Sequence, residues 1–147
     1  MHRFAPLALA VCLFAAGCSV SNSTSPSGSA VLDALAGTWA LGSATGAPPN
    51  RCTSLDYTIA KSSDASSGTV AFSGVCAGVE GTGTGKATVS GSTVNWTAEG
   101  TATRSGLTCP FNFTQGTAAL EGSGVRVTYV GTVCGLPVSG SELLQRK

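Results

Sequence analysis

The stretch VRVTYVGTV, residues 125–133, places Val125, Val127, Tyr129 and Val133 on one side of an extended chain and Arg126, Thr128 and Thr132 on the other. A period of two is the pattern of a strand with one dry face and one wet face. The same alternation recurs upstream. Val94, Trp96 and Ala98 alternate with Asn95 and Thr97, and Leu55, Tyr57 and Ile59 alternate with Ser54, Asp56 and Thr58. The pattern predicts strands at 37–42, 53–60, 69–76, 83–89, 93–104, 109–120, 125–134 and 138–144. Turns are expected at Ser62 to Gly68, at Gly91-Ser92 and at Gly122-Ser123-Gly124. Gly100 and Gly116 fall inside strands, where a missing side chain allows a bulge or bend. The fold expected is all-β: a small antiparallel meander whose eight hairpin-linked strands form a closed or nearly closed barrel, which removes exposed sheet edges.

The cysteines fit this reading. Beyond the amino-terminal region stand Cys52, Cys76, Cys109 and Cys134. Three pairings are open to four cysteines. Cys52 opens a predicted strand and Cys76 closes its hairpin partner, and Cys109 and Cys134 repeat the arrangement, so 52–76 and 109–134 need the least rearrangement. Each closes a loop worth roughly 3 to 4 kcal/mol in the chain-entropy model. Val75-Cys76-Ala77-Gly78 resembles Val133-Cys134-Gly135, the mark of a duplicated hairpin on too short a match to establish one.

Charge argues against several partners. Arg51, Lys61, Lys86, Arg104, Arg126, Arg146 and Lys147 face Asp33, Asp56, Asp64, Glu80, Glu99, Glu121 and Glu142, all spread singly. With no basic stripe to follow a phosphate backbone, nucleic acid is not an expected partner.

Catalytic patterns are equally scarce. The one histidine, His2, lies in the amino-terminal signal, so no His-based triad or zinc site is expected in the domain. The four cysteines show no CxxC spacing, and no acidic run forms a calcium loop. Asp56 and Glu99 are the one carboxylate pair to weigh for sugar hydrolysis, and both fall on the wet face, as solvated charges do. Gly81-Thr82-Gly83-Thr84-Gly85-Lys86 lacks the Walker spacing and reads as a turn entering a strand. No enzyme activity, metal or cofactor is expected. Asn-x-Ser/Thr triplets at Asn22, Asn95 and Asn112 read as polar, strand-compatible surface.

The chain begins MHRFAPLALAVCLFAAGC, with Arg3, an apolar run from Phe4 to Ala16 and small residues before Cys18. Such a run is an export signal, too short to span a bilayer. Ala15-Ala16-Gly17-Cys18 resembles the lipobox of bacterial lipoproteins. The resemblance implies a signal at 1–17, a mature chain starting at an acylated Cys18, and the lipid bilayer as partner. Ser19 in place of Asp implies the outer membrane, on either face. Cys12 leaves with the signal. Residues 18–29 then form the lipidated cysteine and a Ser-rich flexible tether, and 30–147 a single β domain.

Trp39, Tyr57, Phe72, Trp96, Phe111, Phe113 and Tyr129 fall mostly on the inner face. Core packing is the first reading of Trp39, Trp96, Tyr57 and Tyr129, and ligand lining the second. Gly37-Thr38-Trp39 resembles the opening of lipocalins, avidins and periplasmic metalloprotease inhibitors, which implies that Trp39 plugs one end of a barrel. Function is expected to be that of a structural or protein-interaction module of the envelope, with an envelope protein as partner. The alternatives are a lipocalin-like small-ligand module, with Gly46 to Arg51 as its rim, and an inhibitor acting through residues 19–29.

Overall fold

The computed structural model describes residues 28–42, 52–64 and 66–147. The signal, Cys18, the tether as far as Ser27, Asn22 and the expected rim at Gly46 to Arg51 lie outside the described residues. A helix, α1 (Gly28–Leu35), leads into β1 (Gly37–Leu41), followed by β2 (Cys52–Lys61), β3 (Ser67–Cys76), β4 (Val79–Ser90), β5 (Thr93–Arg104), β6 (Leu107–Glu121), β7 (Gly124–Val133) and β8 (Leu136–Arg146). Each strand pairs antiparallel with the next, and β8 returns to β1, closing the barrel. Disulfides join Cys52 to Cys76 and Cys109 to Cys134, as the spacing predicts.

The structure departs from the sequence reading in four places. Gly28 and Ser29, the end of the expected tether, begin α1, because Val31, Leu32 and Leu35 recur at helical spacing and bury one face against an end of the barrel. The Gly81–Lys86 run is strand, not turn: Thr82, Thr84 and Lys86 face solvent while the intervening glycines face inward. Ala77-Gly78, Ser105-Gly106 and Cys134-Gly135 are two-residue turns with both residues at positive φ, so β4, β6 and β8 start earlier than predicted and Cys134 leaves β7. Finally, the bulge in β6 lies between Phe113 and Gln115, beside Gly116 rather than on it. That extra residue shifts the inward positions from Phe111 and Phe113 to Gly116 and Ala118.

The inward glycines make room for rings. A Cβ at Gly83 or Gly100 would collide with Phe111, and one at Gly116 with Trp96. The aromatic rings therefore lean across the barrel and form one continuous cluster. Phe72 lies 5.2 Å from Phe111 and 5.3 Å from Tyr57, and Phe113 lies 5.0 Å from both Phe111 and Tyr129.

Candidate functional site

The two ends of the barrel are built differently. α1, the Gly91-Ser92 and Gly122-Ser123 turns and the end of β8 gather at one end. There Trp39 is buried, and its Nε1 donates to the Leu35 carbonyl at 2.8 Å. Arg146 donates to the carbonyls of Ala34 (2.8 Å) and Ala36 (3.1 Å) and stands over the Trp39 ring. The last carbonyls of a helix have no partner within it, so these side chains complete α1 as well as seal the barrel. Gly37, at φ +124°, turns the chain from helix to strand where a Cβ would lie 2.8 Å from the Arg146 guanidinium. Trp39 thus lies buried at the end of the barrel that α1 covers. Lys61 and Asp33 add a 2.7 Å ion pair between β2 and α1.

At the opposite end the described residues form no helix. The three turns Ala77-Gly78, Ser105-Gly106 and Cys134-Gly135 surround it, together with the ends of β1 and β2. Both disulfides lie at this mouth: Cys52 starts β2, Cys76 ends β3, Cys109 is near the start of β6 and Cys134 sits in the β7–β8 turn. Leu107 and Leu136 stand on the rim with 79% and 68% of their surface exposed. Below the rim is a cavity of about 260 Å³, walled by Leu55, Phe72, Val79, Phe111, Phe113 and Tyr129 among others, with no charged side chain among the described residues of its wall. A space of this size and lining suits a small apolar molecule, near the lower end of common ligand sites.

Polar groups lie past the cavity floor. Tyr129 lines the floor, its hydroxyl lying against Gly140, the facing residue on β8. Glu142, the next inward position on β8, is 7% exposed and faces Val127. Burial raises its carboxyl above the usual range, an effect that Arg126 partly offsets. Burial also pushes the Tyr57 hydroxyl well up, with Tyr129 and Glu142 adding to the shift. Trp96 Nε1 is a buried donor without a hydrogen-bond partner among the described residues.

The sequence-predicted residues therefore separate by location. Trp39 belongs to the seal. Tyr57 and Trp96 belong to the core, and half-buried Tyr129 is shared between core and cavity. Glu142 was missed by sequence reading, because an inward Glu beside Ser141 and Leu143 looks like any solvated charge until the strand register is known. Asp56 and Glu99 face one outer groove, but three strand spacings separate them. That is about 14 Å, beyond the span of a carboxylate pair in sugar hydrolysis. Asp56 instead pairs with Lys147 at 3.1 Å. Among the described residues no group of three or more His, Cys, Asp and Glu side chains is placed to hold a metal. Compared with protein-family models, curated proteins and solved structures, the chain matches none.

Proposed function

We propose that this chain is a lipid-anchored binding module of the bacterial envelope whose barrel takes a small apolar ligand through its disulfide-framed mouth. The observation that carries the reading is the asymmetry of the barrel, sealed by α1, Trp39 and Arg146 at one end and, among the described residues, hollow and lined by apolar side chains at the other. The lipobox-like Cys18 supplies the anchor. The described chain starts at the sealed end, where a Cβ at Gly28 would lie 3.6 Å from Val89, so the tether would leave the barrel there and not at the mouth.

Two experiments test this. Titration of the full chain in nanodiscs with the neutral fluorophore N-phenyl-1-naphthylamine should show saturable binding, lost in Gly81→Leu. Gly81 lines the cavity, and a Cβ there meets nothing closer than 3.9 Å, so the larger side chain fills the hollow without a clash at its root. Equal signal from both proteins would mean that the dye sees only lipid. Intact mass of membrane-purified protein should give an acylated chain starting at Cys18 with two disulfides. An unlipidated chain would remove the anchor.

A second reading rests on the rim. Leu107 and Leu136 are large apolar side chains left exposed side by side with the Cys109–Cys134 bridge, a surface suited to an envelope protein. Charged substitution of both leucines would abolish such an association and leave dye binding in the cavity intact.

A further inference from the structure

We infer that the ligand the barrel selects carries a protonated amine on a short apolar body, the body held by the apolar walls and the amine reaching Glu142 past Tyr129. The inference rests on the ligand-binding reading above and names the chemistry of the ligand. Three observations converge on it. First, the described cavity wall is apolar, with the rings of Phe72, Phe111 and Phe113 in mutual contact and that of Tyr129 against Phe113. Ring faces attract cations and tolerate alkyl chains.

Second, Glu142 projects into the barrel just beyond that wall. Val138 lines the cavity, Gly140 lies under the Tyr129 hydroxyl, and Glu142 follows on the same face, so each step inward is about 7 Å. The missing side chain at Gly140 leaves the Tyr129 hydroxyl as the group between cavity and carboxyl.

Third, Glu142 makes no hydrogen bond or ion pair among the described residues. Among the described residues, the groups that act electrostatically on it are Tyr57 inside the barrel and Arg126 outside, and Tyr129 lies one inward position nearer the mouth on the neighbouring strand. Arg126 is already engaged by Glu121, at 2.9 and 2.7 Å. A buried carboxyl without a cation is costly, and a ligand that brings one recovers that cost on binding. A carboxylate ligand would meet like charge there instead.

The test is a matched series of n-hexylamine, hexan-1-ol and hexanoate, titrated at neutral pH into the full chain in zwitterionic nanodiscs. Gly81→Leu serves as the blank for partition into lipid. The inference expects hexylamine to bind about tenfold tighter than hexanol, hexanoate weakest, and the amine-to-alcohol ratio to fall toward one in Glu142→Gln. Thermal melting of Glu142→Gln confirms that the variant is folded. A ratio near one in the natural chain, a preference for hexanoate, or an amine preference that survives Glu142→Gln would overturn the inference and leave the ligand reading in place. Failure of all three compounds and of the neutral dye would overturn the ligand reading itself, and this inference with it.

Discussion

The guanidinium carbon of Arg146 stands 4.4 Å from the centroid of the Trp39 ring, which sits across the β1–β8 seam in direct register with it. The contact joins the last strand to the first and both to the end of α1, through the hydrogen bonds to Ala34, Leu35 and Ala36. Arg146→Met should lower stability by about 2 kcal/mol, since it removes two charged donors and a ring-stacked cation. Arg146→Lys should recover only part of this, because one ammonium cannot serve two carbonyls and a ring in the fixed geometry of the fork. Urea denaturation of the three proteins checks the order.

Trp39→Phe probes the other half of the seal. The ring is kept, but the Leu35 carbonyl loses its buried donor and part of the plug volume is vacated. A loss of about 2 to 3 kcal/mol is expected by the same measurement. Amide exchange should quicken first in α1 and at the ends of β1 and β8, while the mouth stays protected.

Gly81 and Gly83 lie two residues apart on one face of β4 and should respond in opposite directions. Gly81→Leu places an apolar side chain in the cavity and should leave stability equal or raise it by up to about 1 kcal/mol, with dye binding reduced at least tenfold. Gly83→Ala drives a methyl into Phe111 and to 2.7 Å from the Glu99 carbonyl, and should cost about 2 kcal/mol or more. Thermal melts of the pair decide it.

Glu142 makes stability depend on pH in a direction opposite to that of a paired carboxylate. Its folded carboxyl titrates above the unfolded value of 4.5, so the folded state binds its proton more tightly than the unfolded state does. The stabilisation from holding that proton is therefore fully present below pH 4.5 and is lost as pH rises through the raised folded value. Glu142→Gln, which stays neutral, should be more stable than the natural chain at pH 7 and should lose that advantage in acid. Denaturation of both proteins across pH 4 to 8 measures the difference; an advantage that does not change with pH would contradict it.

The two disulfides brace the mouth alone. Replacing Cys109 and Cys134 by serine should cost about 3 kcal/mol in the chain-entropy model and should loosen exchange around Ala77-Gly78, Ser105-Gly106 and residue 135 before the sealed end. Loss of protection beginning at α1 would contradict the assignment.

Much of the barrel is legible in the sequence because β5, β7 and the run from Leu55 to Ile59 in β2 alternate through Trp96, Val127 and Tyr57, and each cysteine pair marks the two ends of a hairpin. The legibility stops where one residue has two uses. Gly81 to Gly85 look like a loop because glycine is common there; in the barrel they are empty inward positions, two of them facing backbone or the Phe111 ring, a cause that lies on strands remote in sequence. The β6 bulge is invisible for a similar reason, since Thr114 and Gln115 are ordinary strand residues and only the partners' register creates the extra one. The candidate site is less legible still. The cavity is a volume left over after the rings have packed, and Glu142 acquires its setting from Val127 and Tyr129 on the neighbouring strand.

The β1–β8 seam has three register pairs, Trp39 with Arg146, Ala40 with Gln145 and Leu41 with Leu144, while every other strand pairing is a hairpin between chain neighbours. Assembly order follows from that difference. Hairpins from β2 to β8 pay little loop entropy and can form progressively, whereas the seam joins residues more than a hundred positions apart and must come last. The helix, the tryptophan and the arginine therefore act as a latch that engages only after the rest of the wall has formed. A chain stopped short of Leu144 would hold most of its strands and none of the three seam pairs, exposing β1 and β8 as edges open to pairing with another copy.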